Sequence, residues 1–238
     1  MASYLRAHHG LPHLALVFLA LIAMVAAPGF AKAVDIVTGV YGTGQTPLIS
    51  AQPLPAWNPN TVNPFVLRTS DPAERQQAVA CLADAIYYEA GFEPVDGQRA
   101  VAQVIINRVR DPNFPKSVCG VVFQGYQRRT GCQFSFVCDG SMKRRPPRPE
   151  QETFARIVAE QALSGYVETD VGTATHYHTD YVRPAWAPRM VKVTKIGQHI
   201  FYHWRGAAGQ PQHMVDEYDG GEVATWQQAS AAILGHSA

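Results

Sequence analysis

Three carboxylates fall within eight residues in the stretch AIYYEAGFEPVDGQRAVAQVIINRV, residues 85 to 109: Glu89, Glu93 and Asp96. Glu89 stands out by position. By i, i+3 and i+4 spacing it shares a helix face with Ala78, Leu82, Ala85 and Ile86. A carboxyl on such a face loses water. Desolvation raises its pKa and keeps a proton available near neutral pH, which is what a general acid needs. The competing reading is a helix-end carboxylate that reaches solvent or pairs with an arginine. Glu93 reads as a hydrogen-bonding partner that orients a substrate or a loop. Asp96 reads as the cap of the next helix. Two carboxylates flanking a bond would suit glycoside hydrolysis, but spacing does not give the separation of Glu89 and Glu93.

A second group is histidine. His176 and His178 share one strand face, and His199 and His203 share a face of another. With Glu89 they could hold zinc and activate water. No HExxH pattern is present, and strand histidines flanked by aromatics also pack or hydrogen-bond. Four cysteines, Cys81, Cys119, Cys132 and Cys138, allow three disulfide pairings. Cys132 and Cys138 are near enough in sequence to close a small loop.

The elements that must position these groups are legible in part. SDPAER gives a helix start, with Asp71 as cap, Pro72 first and Glu74 completing a capping box. This helix is predicted to run to Ala90 and stop at Gly91. A second helix follows EPVDG, with Val101, Val104, Ile105 and Val109 on one face, and ends at Asp111-Pro112. SVCGVVFQG reads as a short helix, CQFSFVCDG as a strand or ordered loop, and SMKRRPPRP as a basic loop. Pro149 to Gly165 reads as a third helix facing inward with Phe154, Ile157, Val158 and Ala162. ATHYHTDYV and MVKVTKIGQHIFYHW then alternate as strands. Helices first and a β-hairpin after predict an α+β domain over residues 70–205. Residues 34–69 read as a Pro/Gly/Asn-rich linker and 206–238 as a peripheral tail.

Of the 238 residues, 47% are hydrophobic and 16% charged, with a net charge of +1. That composition calls for a packed core and gives no footprint for nucleic acid. Charge is uneven, however. From Arg99 to Arg148 ten basic side chains against Asp111 and Asp139 leave a segment charge of +8, a surface that attracts anionic polymer. Residues 1–33 read as a secretory signal peptide: Arg6 among histidines, the apolar run Leu14 to Ala27, then Ala31-Lys32-Ala33. An uncleaved anchor is the alternative, although 14 apolar residues are few for a span. The expected location is exported, in the periplasm or cell envelope, with membrane contact only through that segment.

The segment CLADAIYYEAGFEPVDGQRAVAQVIINRVRDPNFPKSVCGVVFQ resembles the opening of the cell wall hydrolase family that includes the spore cortex-lytic enzymes. The matches are Glu89-Ala90, Glu93, Gly97-Gln98, Ala100-Val101-Ala102, Asn107-Arg108-Val109, Phe114-Pro115 and Val121-Val122-Phe123. CQFSFVCDG, ATHYHTDYVRPAW and KIGQHIFY are similar to its later elements, so the resemblance spans about residues 80–202. Gly91-Phe92 departs from it, standing where Arg-Gly is usual.

The resemblance implies a lysozyme-like, lytic-transglycosylase-related domain acting on peptidoglycan glycan strands, without a cofactor. The bond cut would be the β-1,4 linkage between N-acetylmuramic acid and N-acetylglucosamine. Glu89 takes the catalytic acid's place, and some members close an anhydro ring in place of adding water. Glu93, Gln133, Phe134, Ser135, Tyr177 and His178 are the expected substrate contacts, with the Gln133 amide on N-acetyl groups and the Phe134 ring stacked on a sugar. The rival readings are a zinc N-acetylmuramoyl-L-alanine amidase and a non-catalytic peptidoglycan-binding module.

Overall fold

The structure, a computed structural model, describes residues 62–235. The expected signal peptide and most of the expected linker lie outside these residues. Among the described residues no helix is long and apolar enough to cross a membrane.

Helix α1 spans Pro72–Ala90 and α2 spans Val95–Arg110. Asp71 caps α1 by accepting from the Ala73 N–H at 2.8 Å, as its type predicts. The capping box does not close. The Glu74 carboxylate turns away and accepts from the Glu222 and Val223 N–H groups, at 2.6 and 3.3 Å. Asp96 is not the cap of α2 either. It lies inside the first turn, 3.5 Å from Arg99.

The short helix α3, Val118–Val122, is tied to α1 by the Cys81–Cys119 disulfide. Cys132 and Cys138 join to close a loop that contains a 3₁₀ turn at Ser135–Val137, so CQFSFVCDG is an ordered loop. The basic segment contains one helical turn, α4, at Ser141–Arg144. Helix α5, Pro149–Leu163, packs on α1 with Val158 and Ala162 buried as predicted, but with the face turned away from Phe154 and Ile157. Phe154 and Ile157 are 51% and 42% exposed, and Ala155, Val158, Ala159 and Ala162 are buried. That stripe also has helical spacing, and its small side chains let the two helices come close.

The predicted hairpin is present as β2–β3, and the ATHYHTDYV strand joins it to make three antiparallel strands in spatial order β1-β3-β2. They are β1, His176–Thr179; β2, Val191–Ile196; and β3, His199–His203. Tyr177 stands opposite Phe201 and His176 opposite Tyr202. The β2–β3 turn needs Gly197, whose φ is +56°.

Both flanks depart from the predicted boundaries. Val62, Phe65 and Leu67 are buried, and the Leu67 N–H donates to Leu163 O at 2.9 Å, so the end of the supposed linker is part of the core. Residues 222–235 are not peripheral. They form helix α6, Glu222–Gly235, with Ala229 buried and the Trp226 ring 5.2 Å from that of Phe123. The buried Glu222 carboxylate accepts from the Val118 and Cys119 N–H groups at 2.8 and 2.6 Å and from the Tyr218 hydroxyl at 3.0 Å. It caps α3 from a distance of a hundred residues.

Replacing Glu222 by Ala leaves two buried N–H groups without acceptors, each costing about 1–3 kcal/mol. Urea unfolding of Glu222→Ala is expected to give a stability loss of roughly 3 kcal/mol with an unchanged m-value. A loss below about 0.5 kcal/mol, the size of an ordinary surface substitution, would mean that α6 is not fastened through this carboxylate.

Candidate active site

Glu89 sits in the last turn of α1, on the face that carries Ala85 and Ile86 into the core. Its Oε2 accepts from the Tyr177 hydroxyl at 3.0 Å. Tyr177 is on β1, 88 residues later, so the site depends on how β1 is held. Helix α2 holds it. The Asn107 side-chain amide donates to Gly172 O and to Ala174 O, both at 2.8 Å, and accepts from Gln103 at 2.9 Å. Arg108 Nε donates to Thr175 O at 2.7 Å. The Asn-Arg pair is thus a clasp on the chain entering β1.

Burial pushes the Glu89 carboxyl above the usual range. The Tyr177 hydrogen bond and the Arg108 charge pull it back, and Asp139 adds a small push upward. Tyr177 itself is held well above its ordinary value, chiefly by burial and then by Glu89, so it stays a phenol and donates. Arg108 is 4% exposed and lies 5.2 Å over the Phe134 ring and 5.5 Å over that of Phe114. Its Nη1 is buried without a hydrogen-bond partner. His176 is lowered to about 4 by burial and by Arg108, with Asp111 opposing, so it is neutral near pH 7.

Two cavities meet at Glu89. One, of about 260 Å³, is lined by Glu89, Arg108, Gln133, Phe134, Ser135, His176, Tyr177 and Trp186. The other, of about 470 Å³, runs past Tyr87, Tyr88, Phe92, Glu93, Arg145, Arg148 and Gln198. Glu89 is the residue common to both.

The structure brings Gln133, Phe134, Ser135 and Tyr177 together with Glu89 as the sequence predicts, with two corrections. Phe134 is 3% exposed and its face is covered by Arg108, so it forms the floor and is not a stacking platform. His178 lines neither cavity. Its Nδ1 donates to Thr179 O and its Nε2 accepts from the Tyr202 hydroxyl, both at 2.9 Å, with the ring stacked on Tyr202. His176, two residues earlier on the same face, lines the cavity instead. Glu93 borders the larger cavity, but both its oxygens accept from the Gln198 N–H at 3.3 Å. It holds the β2–β3 turn, which is the loop-orienting half of the expectation.

Sequence reasoning missed Arg108 as the counter-charge to Glu89. Its one signal was its place in the Asn-Arg-Val motif. The zinc arrangement fails on register. Pairing places His176 and His178 on one face of the sheet, and His199 and His203 on the face of Tyr177 and Phe201. Among the described residues no three His, Cys, Asp or Glu side chains converge on a metal position. Gly91, the departure noted above, has a physical reason: a Cβ there would lie 2.5 Å from the Tyr87 carbonyl oxygen.

Residues 92–202 match the family described as Cell Wall Hydrolase. The match starts three residues after Glu89. The spore cortex-lytic enzyme of Halalkalibacterium halodurans is 37% identical over 124 residues, which are 52% of this chain and 34% of that protein. That of Bacillus subtilis is 34% identical over 123 residues, 52% of this chain and 36% of that protein. The chain thus spans about a third of the length of these relatives. The crystal structure of the catalytic domain of the Bacillus cereus SleB protein is 31% identical, with 58% of this chain and 94% of that one covered at a TM-score of 0.45.

The raised Glu89 carboxyl has a consequence for stability. The folded chain binds this proton more tightly than the unfolded one, so its contribution is complete below the unfolded value, about 4.3, and declines as pH rises through the folded value. Glu89→Gln lacks that decline. Its melting temperature is expected to equal the wild type's near pH 4 and to exceed it increasingly toward pH 8, by about 2–4 °C per kcal/mol. A gap that is constant with pH would show that Glu89 ionises freely.

Proposed function

We propose that this chain, which carries a cell wall hydrolase domain at residues 92–202, cleaves the β-1,4 bond between N-acetylmuramic acid and N-acetylglucosamine as a lytic transglycosylase. One observation carries the reading: a carboxyl with a raised pKa, fixed by a tyrosine hydroxyl, at the point where two cavities meet. The relatives' name, spore cortex-lytic enzyme, supports a wall polymer as substrate.

In this reaction Glu89 gives its proton to the glycosidic oxygen as the bond to the muramyl anomeric carbon breaks. The carboxylate then takes the proton of that sugar's C6 hydroxyl, whose oxygen closes onto the anomeric carbon. The acid is regenerated, no water is consumed and an anhydro end results. Arg108 and the Tyr177 hydroxyl stabilise the carboxylate between the two transfers. Retaining and inverting hydrolases use two carboxylates. Glu89 is the one carboxylate lining the smaller cavity, and Glu93 in the larger is occupied by a backbone N–H. That favours ring closure over attack by water. Gln133 and Ser135 present an amide and a hydroxyl suited to N-acetyl groups. Residues 1–33 would direct export to the envelope, where this substrate lies.

Mass spectrometry of purified peptidoglycan digests tests the reaction. Wild type is expected to yield anhydro-muramic ends with EDTA present, and Glu89→Gln to lose about 10²–10⁴-fold in rate. Reducing ends would replace ring closure with hydrolysis. Free stem peptides on intact glycan would overturn the glycosidase reading.

The pH profile tests Tyr177. Its hydrogen bond lowers the Glu89 pKa, so Tyr177→Phe raises it. The alkaline limb of kcat is expected to move to higher pH while the maximal rate falls about tenfold, a change of about 1.4 kcal/mol. An unmoved limb would separate Tyr177 from the acid's titration.

A further inference from the structure

We infer that the 470 Å³ arm beside Glu89 is a subsite for a muramyl unit that still bears its stem peptide. Phe92 is the platform for the sugar ring, and Arg145 with Arg148 receive a stem-peptide carboxylate. The inference rests on the proposed glycosidase reading and deepens it.

Phe92 is 72% exposed in a chain that buries Phe65, Phe123, Phe134, Phe136 and Phe201 almost fully. It stands three residues past Glu89 with one ring neighbour from α1, Tyr87 at 6.4 Å. Unlike Phe134, which is buried beneath its arginine, this ring keeps most of its surface in water on a cavity wall, where a sugar ring can stack. The Arg148 guanidinium lies 5.5 Å from that ring. Arg75, Arg99, Arg110 and Arg156 each meet a carboxylate within 4 Å. Arg145 and Arg148 do not form an ion pair among the described residues. The Arg145 guanidinium donates to the Ser141 hydroxyl.

The segment that carries them is fixed against the catalytic helix. The Tyr88 hydroxyl donates to Arg145 O at 3.0 Å, and the Arg148 N–H donates to the Tyr87 hydroxyl at 3.2 Å. Pro146 and Pro147 stiffen the two residues between. The backbone that bears the two guanidiniums is therefore held beside the acid, and among the described residues neither guanidinium is committed to a carboxylate within 4 Å, although Arg145 also rests on the Ser141 hydroxyl; planar forks of this kind suit carboxylates. The opposite arm has no such charge, since its arginine, Arg108, is 4% exposed and engaged with Thr175. In a strand of alternating sugars, N-acetylglucosamine is neutral and the muramyl unit carries the peptide carboxylates. The charge asymmetry of the two arms thus sets which sugar lies on which side of Glu89.

The test uses two substrates: glycan strands with stem peptides, and the same strands stripped of peptide by an amidase, with the lactyl carboxylates that this cut frees then capped as amides. Wild type is expected to show a kcat/KM at least tenfold higher on the peptide-bearing strands, with the ratio falling as salt rises. Arg145→Gln with Arg148→Gln is expected to bring the ratio close to one. Arg148→Lys, which keeps charge and solubility, should retain part of it. Phe92→Ala is expected to lower kcat/KM on both substrates and leave their ratio in place. A wild-type ratio near one, or a ratio that survives loss of both guanidiniums, overturns the inference while anhydro ends still appear. A digest without cut glycan overturns the glycosidase reading itself.

Discussion

The bond from the Tyr177 hydroxyl to Glu89 Oε2 is the constraint on which the site depends. A carboxyl at the buried end of a helix faces opposing demands. Too little burial leaves it an ordinary carboxylate, spent as an acid at neutral pH. Too much leaves it unable to hold charge after it has given the proton away. Burial is the larger influence here and acts upward, and Tyr177 and Arg108 act downward. Because the phenol is itself held well above its ordinary value, it remains a donor through the whole cycle. Arg108 is a charge that burial cannot switch off, since guanidinium stays protonated.

This balance needs a strand and two helices in fixed relation, and the rest of the fold supplies it. Asn107 and Arg108 grip the backbone at 172–175, so Tyr177 enters the site at a set depth. Glu93 holds the far turn through the Gln198 N–H, and Gly197 supplies the positive φ that this turn needs. The Cys81–Cys119 disulfide joins α1 to α3, and Glu222 joins α3 to α6. In the proposed reaction, rigidity of this kind would let a single acid serve both proton transfers without a second carboxylate to correct its position.

Much of this was legible in the sequence because it rests on local rules. Helix α1 begins at Asp71-Pro72 and ends at Ala90 as its capping and spacing predict, and Glu89 lies on the predicted face. The order of helices and then strands follows from the change of period. What was not legible depends on contacts distant in sequence. Glu74 looked like a capping-box residue, and only the return of α6 shows that it caps another helix. The stripe of α5 was half right: Val158 and Ala162 are buried, but the large Phe154 and Ile157 drew the predicted face away from Ala155 and Ala159, which close helix packing selected. His178 and His176 are equivalent by alternation. The hydrogen bond to Tyr202 removes one from the site, and sequence spacing carries no sign of it.

Raised pKa alone does not separate the proposed acid, Glu89, from other buried carboxyls. Asp84 is pushed up to about 7, by burial and then by Glu152, yet it lines neither cavity. Glu222 is also raised by burial, but its oxygens take the Val118 and Cys119 N–H groups and the Tyr218 hydroxyl. Glu74 and Glu93 each accept from backbone N–H groups at the start of a helix or a turn. Such donors are immobile, and a carboxylate that satisfies them would have to break the fold in order to take a proton from a ligand. Glu89 differs in kind: its partner is a side-chain hydroxyl, and the space on either side of it is open. Structural acids answer to the backbone, whereas this one has capacity left for a substrate, and that distinction singles out Glu89 more securely than its pKa does.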